Sequence, residues 1–157
     1  MAGRLGDFFP GEERQKYIDR SLKAGQVLYL YCEFVVPPKN KFLLLVCRSD
    51  PPLLFMINSK IPEFVQQKPD LLSCQVKLCS SDYNFLSHDS FINCSEIINR
   101  FSEEAIINQV LSDVGRIKGE INQTTRNEII GVVKRARTIS EYEKALIIRS
   151  LEKHGDL

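Results

Sequence analysis

Two apolar runs lie close together in the chain, separated by a polar, proline-containing segment. The runs cover residues 42–47 and 53–57, and residues 48–52 (RSDPP) separate them. Each run is short, bounded by turn residues, and too continuous for a strand that exposes one face to solvent. The pattern therefore predicts a buried β-hairpin, with polar and basic groups gathered at its ends.

Three further segments are typical of strands. Residues 26–36 are dense in Val, Tyr, Phe and Leu, and residues 71–78 and 90–98 alternate loosely between apolar and polar positions. Pro37 and Pro38 prevent the first of these strands from continuing. With the hairpin, these segments predict about five strands within the first hundred residues.

The character of the chain changes after Asn99, where apolar positions follow helical spacing. Ser102, Asn122 and Ser140 are the predicted N-caps of three helices, because Ser and Asn side chains accept hydrogen bonds from the first-turn amides. Shorter helices are predicted over residues 12–22 and 61–69. Strands grouped before helices indicate an α+β fold, with a small barrel or curled sheet and the helices packed at one side.

Length and charge set the remaining bounds. The 157 residues predict a single domain over 1–157, made of an N-terminal segment with a short helix (1–24), a β-barrel (25–99) and a helical C-terminal part (100–157). The net charge of +1 gives no global field that would attract nucleic acid or an anionic membrane, although a local basic patch remains open. No apolar run approaches the roughly 18 residues that span a bilayer. We expect a cytoplasmic protein without a secretory signal or a membrane partner.

The five cysteines predict neither disulfides nor a metal centre. Their number is odd, and four of them sit within apolar or alternating runs, which is typical of reduced, buried thiols. Cys74 and Cys79 lack zinc-site spacing, and only His88 and His154 would complete such a site. No metal or cofactor is therefore expected. A cysteine-dependent enzyme has little support, because no cysteine lies in an evidently basic, exposed setting.

Three parts of the chain resemble the MazF/PemK family of toxin proteins. Residues 25–30 (GQVLYL) and 41–46 (KFLLLV) resemble the family's first two strands. Residues 90–98, 114–117 (VGRI) and 122–136 resemble its last strand, its Gly-basic-apolar turn and its closing helix. The resemblance implies a small SH3-like antiparallel β-barrel of about five strands followed by about three C-terminal helices. Residues 60–89 and 140–153 have no counterpart in the family pattern.

The resemblance also implies a reaction, since characterised members of this family cleave single-stranded RNA without a metal. Their chemistry uses an Arg before the second strand and a Thr or Ser after the third. Ser59 matches the second position, but Lys39, Asn40 and Lys41 stand where the Arg is expected. Lysine keeps the positive charge and loses the planar fork that suits a phosphate. The resemblance thus implies catalytic roles for Ser59 and Lys41 and RNA contacts by Lys39 and Lys41. The alternative is that Ser59 caps the turn into residues 61–69 and that the lysines are solvated.

The segment between the last two predicted strands adds three candidates. His88 suits acid–base catalysis, because the ordinary pKa of histidine is about 6.5. His88, Asp89 and Ser90 are adjacent and so cannot form a catalytic triad; the alternative is a loop histidine beside an Asp89 that caps the start of the strand. Tyr83 and Phe85 are predicted to stack on unpaired bases, or else to pin the loop to the barrel.

Basic residues near the C-terminal end allow two interpretations. They form a phosphate-binding face, or they lie on ordinary salt-bridged helix surfaces, since glutamates interleave with them. These residues are Arg116, Lys118, Arg126, Lys134, Arg135 and Arg137.

Two functions follow from these observations. The first is a metal-independent endoribonuclease of the toxin–antitoxin type, a homodimer whose partners are single-stranded RNA and a cognate antitoxin-like protein. The second is a catalytically inactive barrel of the same family that binds a protein or a nucleic acid. The lysines at the expected Arg position and the near-neutral charge favour the second.

Overall fold

The fold is built on one antiparallel sheet with helices around it. The structure, a computed structural model, describes residues 11–153; the first ten residues of the predicted N-terminal segment and the last four residues, including His154, lie outside it. The described strands are β1 (Gln26–Cys32), β2 (Lys39–Cys47), β3 (Leu53–Asn58), β4 (Gln75–Leu78), β5 (Ser90–Ile98) and β6 (Ile117–Glu120). The helices are α1 (Gly11–Ser21), α2 (Glu63–Gln66), α3 (Pro69–Leu72), α4 (Glu103–Ser112), α5 (Gln123–Arg135) and α6 (Glu141–Glu152).

The strands form a curled half-barrel in the order β4-β5-β3-β2-β1-β6. The predicted hairpin is present as β2 and β3, which pair in a register that sets Leu44 opposite Phe55. The α+β class and the barrel-like sheet are confirmed. The count of about five strands misses β6, which lies among the C-terminal helices and pairs with β1. β6 has only four residues and a single apolar one, so its strand state depends on β1 rather than on its own pattern.

Helices cover both faces of the sheet, and the prediction that they pack at one side is wrong. Along β2, Leu44 and Val46 belong to a core shared with α5 and α6, whereas Leu43 and Leu45 belong to a core shared with α1 and α4. Successive strand residues point to opposite faces, so a strand buried on both faces is continuously apolar. This explains the uninterrupted run that predicted a buried strand.

The three predicted N-caps are confirmed. Ser102 Oγ accepts from Ala105 N at 3.0 Å, and Asn122 Oδ1 accepts from Thr125 N at 2.8 Å. Ser140 Oγ accepts a hydrogen bond from the backbone of α6 in the same way. Each helix after β5 therefore begins where a polar side chain satisfies an otherwise unpaired amide.

Two predicted strands are shorter in the structure. β1 ends at Cys32, and the remainder of the predicted 26–36 strand forms the turn that leads to β2. The predicted 71–78 strand begins at Gln75, because Pro69 starts a one-turn helix just before it. Within residues 11–153, no helix combines the length and apolar character needed to cross a membrane.

Candidate functional site

A cavity of about 230 Å³ lies at the end of the sheet where β2 and β5 begin and β3 ends. Lys39, Lys41, Ser59 and His88 all line it. β2 supplies the two lysines, the turn after β3 supplies Ser59, and the segment before β5 supplies His88. The structure thus brings together four of the residues predicted to act on RNA. None of the described residues lining the cavity is acidic, so its charge is positive.

Lys41 is the most constrained of these groups. Its Nζ donates to Asn58 Oδ1 at 3.2 Å, across the β2–β3 pair. Burial lowers the pKa of Lys41, the neighbouring positive charge of Lys39 lowers it further, and Cys32 opposes the shift. A half-buried ammonium with a lowered pKa is a stronger acid than a solvated lysine.

Ser59 and Lys39 are both exposed at the mouth of the cavity. Ser59 does not cap the following helix. The N-cap of α2 is Pro62, and no side-chain hydrogen bond caps that helix. Ser59 therefore faces the cavity without a structural role in α2.

His88 is exposed, and its ring contacts Ser87 rather than Asp89. Nδ1 lies 3.0 Å from Ser87 Oγ. Asp89 instead accepts from the backbone N of Ser80 at 2.8 Å and forms an ion pair with Lys77 at 3.5 Å. The backbone bond from Ser80 is the main reason that the pKa of Asp89 is lowered. Asp89 thus closes the 79–89 loop, and no His–Asp relay forms, as the sequence predicted.

The loop is held down by Tyr83. Its ring is buried, and its hydroxyl lies 2.9 Å from Thr125 Oγ1 and accepts from Asn122 N at 3.0 Å. These contacts join the loop to the first turn of α5. Of the two roles considered for Tyr83, burial supports pinning the loop over stacking on RNA bases.

Phe85 is only half-buried and lies in a row of aromatic rings. Its ring centroid is 5.7 Å from that of Phe42 and 5.9 Å from that of Tyr83, and Phe42 is 4.8 Å from Tyr29. Phe42 and Tyr29 line the cavity. The row therefore connects the cavity to the surface beside Phe85.

Two basic side chains complete the surroundings of the cavity. Arg116 Nη1 donates to Tyr29 O at 2.8 Å and to Asn40 Oδ1 at 2.9 Å, and Asn40 lines the cavity. Lys118 Nζ lies 5.5 Å from the centroid of the Tyr29 ring. Sequence reasoning grouped both residues with the basic positions of α5. Both lie outside α5: Arg116 ends the turn that precedes β6, and Lys118 lies in β6.

The single basic face considered for this part of the chain does not form. Arg126 is fully buried, and its Nη1 donates to Leu151 O at 3.1 Å. Arg137 points instead toward Asp70, at 3.9 Å. Only Arg116 and Lys118 of that set lie beside the cavity, so the positive charge near the site comes from β2, from the turn before β6 and from β6 itself.

Within the described part of the chain, no three or more His, Cys, Asp or Glu side chains are grouped as metal ligands would be. All five cysteines are free thiols, and every one except Cys79 is buried. Comparisons with protein-family models and with curated proteins find no match to this chain. The function is therefore argued from the geometry of the cavity.

Proposed function

We propose that the protein is a MazF/PemK-like endoribonuclease that cleaves single-stranded RNA without a metal. One observation carries the proposal: Lys39, Lys41, Ser59 and His88, which come from three separate parts of the chain, line one cavity that has no acidic lining residue. Positive charge and hydroxyl donors suit a phosphodiester, and an imidazole suits the movement of its protons.

The proposed reaction is an internal transfer of the phosphate. His88 accepts the proton of the 2′-hydroxyl, whose oxygen attacks the phosphorus while the bond from phosphorus to the 5′-oxygen breaks. Lys41 donates a proton to the departing 5′-oxygen, for which its lowered pKa suits it. The products are a 2′,3′-cyclic phosphate and a 5′-hydroxyl, and exchange with water restores both side chains. Lys39 and Ser59 bind the non-bridging oxygens, where negative charge builds up.

A second function is favoured by the residues at the expected arginine position. Lysines occupy the place at which the resemblance implies a catalytic arginine, and they lack its bidentate fork. In that case the same cavity binds RNA, or a protein partner, without cutting. Under the first proposal the family resemblance implies a homodimer restrained by an antitoxin-like protein.

The decisive experiment incubates the purified protein with a long unstructured RNA in EDTA and maps the fragment ends. We expect discrete cuts that end in cyclic phosphate. His88→Gln is expected to slow them by about 10²-fold or more, the usual contribution of a general acid or base. Lys41→Met and Ser59→Ala are also expected to slow cleavage.

Lys134→Met is the matched control, because Lys134 is exposed on α5 and does not line the cavity. It should cut at the wild-type rate. Intact RNA after incubation with wild-type protein that is folded by circular dichroism would overturn the nuclease proposal. Cuts that persist at the wild-type rate in His88→Gln would remove His88 from the mechanism.

A further inference from the structure

A second cavity, of about 340 Å³, adjoins the first across the aromatic row. Phe85 and Lys118 line it. Each is close to a residue of the first cavity: the Phe85 ring lies 5.7 Å from that of Phe42, and Lys118 Nζ lies 5.5 Å from the Tyr29 ring centroid. Lys118 and Phe85 therefore both lie next to the first cavity on this side.

The two cavities differ in charge. The first has no acidic lining residue, whereas Asp82 and Glu120 line the second. Glu120 is paired with Lys23 at 3.5 Å, so Asp82 is the carboxylate better placed to receive a ligand. A carboxylate repels phosphate and accepts hydrogen bonds from amino groups. The chemistry of the second cavity therefore suits the base of a nucleotide, not its phosphate.

The shape of the second cavity also suits a flat ring. Gly119 lies against Phe85, and a Cβ at this position would come within 3.7 Å of Phe85 Cε1. Because Gly119 has no side chain, no Cβ occupies the space beside this edge of the half-buried ring. Asn84 and Asn122 add amide groups to the lining. Stacking on an aromatic side chain, with polar groups around the edge, is the usual way in which proteins hold unpaired bases.

We propose that this second cavity is a base subsite for RNA and that it prefers a base with an exocyclic amino group. The inference rests on the proposed function, because it places the neighbouring phosphate in the first cavity. Phe85 stacks on the base, and Lys118 contacts the backbone between the two cavities. Asp82 accepts from the amino group of cytosine, adenine or guanine. Uracil presents the O4 acceptor where cytosine presents its amino group, and so loses this bond.

Binding to 2′-O-methyl RNA tests this subsite, because the missing 2′-hydroxyl prevents cleavage. The probes are four fluorescein-labelled hexamers that are uridine at every position except the fourth, which is U, C, A or G. Fluorescence anisotropy should show about tenfold tighter binding of the C, A and G hexamers than of the all-uridine hexamer, as one specific base contact gives.

Asp82→Asn should reduce this preference to less than twofold, because the amide of asparagine can also donate to the O4 acceptor of uracil. Asp50→Asn is the matched control, because Asp50 is exposed in the β2–β3 loop and lines neither cavity. It should keep the preference. Phe85→Ala should lower the affinity for all four hexamers by about tenfold, because one stacking contact with a base is lost.

The outcomes separate the subsite from the function on which it rests. Equal affinity of the wild-type protein for the four hexamers would overturn the subsite and leave the proposed function standing. A preference that survives Asp82→Asn would also overturn it. Failure of the folded protein to bind any hexamer would overturn the proposed function and the subsite together.

Discussion

The guanidinium of Arg116 binds the side chain of Asn40, 76 positions earlier in the chain, with 2.9 Å between Nη1 and Oδ1. The same nitrogen donates to Tyr29 O at 2.8 Å. Asn40 stands between Lys39 and Lys41 on β2. One side chain therefore ties the turn before β6 to β1 and to the part of β2 that carries both lysines of the cavity.

Replacing Arg116 by alanine is expected to lower the free energy of unfolding by about 1–3 kcal/mol, because hydrogen bonds from a charged group are lost. Urea unfolding measures this change. Affinity for 2′-O-methyl RNA should fall as well, since Asn40 and the flanking lysines lose their anchor. Arg135→Ala, on the exposed end of α5, should change stability by less than about 0.5 kcal/mol. Similar stability in the two variants would show that Arg116 does not anchor β2.

Tyr83→Phe separates the two roles considered for Tyr83. The hydroxyl contacts Thr125 and the backbone of Asn122, so its removal should lower the unfolding free energy by about 1–3 kcal/mol. The matched control is Tyr142→Phe, whose ring is 75% exposed and which should leave stability unchanged. RNA affinity of the folded variant should equal that of the wild type. A selective loss of RNA affinity with normal stability would restore Tyr83 as a direct RNA contact.

Two features of the structure favour glycine at position 25. Its φ of +100° is strained for any residue with a Cβ, and a Cβ there would overlap the guanidinium of the fully buried Arg126. Gly25→Ala should therefore destabilise the protein by about 2–4 kcal/mol in thermal or urea unfolding.

Gly131→Ala is the matched control for Gly25. Gly131 lies inside α5, and the nearest atom to an added Cβ would be Arg135 Nη1 at 3.9 Å. Alanine should stabilise this helix by about 0.5–1 kcal/mol. Equal effects of the two substitutions would mean that the Gly25–Arg126 contact is not tight in solution.

The pH dependence of RNA binding should report on Lys41. Lys41 binds phosphate only when protonated, and its pKa is lowered from the ordinary 10.5. Affinity for 2′-O-methyl RNA should therefore decline, as pH rises, before pH 10.5 is reached. Lys39→Gln removes a positive neighbour, which raises the pKa of Lys41 and should move this decline to higher pH, even though overall affinity is weaker. A decline that stays at the same pH would show that another group controls it.

The continuous apolar run of residues 42–47 in β2 is visible in the sequence and predicts a buried strand. A strand buried on both faces needs apolar residues at every position, so the hairpin and the α+β class follow from the pattern. The same holds for the helix starts at Ser102, Asn122 and Ser140, because capping involves residues only three positions apart. Local rules were sufficient wherever the interacting groups are close in the chain.

The sequence also identified Lys39, Lys41, Ser59 and His88 as candidates, through residue type and the family resemblance. It did not establish that they share a cavity, since the pairing of β3 with both β2 and β5 decides this. The sequence did not distinguish Tyr83 from Phe85: it predicted the same two roles for both aromatic side chains. The position of α5 buries the first and leaves the second half-exposed.

What only the tertiary structure decided is where long-range partners meet. β6 has almost no strand-like pattern of apolar residues, and it forms a strand because it pairs with β1 at the edge of the sheet. Arg116 and Arg126 are both arginines in the same part of the chain, yet one anchors the cavity and the other is fully buried beside Gly25. The chain's own pattern fixes which face of a strand or helix is apolar. Packing of the helices against both faces of the sheet then determines which charged groups remain at the surface to bind a ligand.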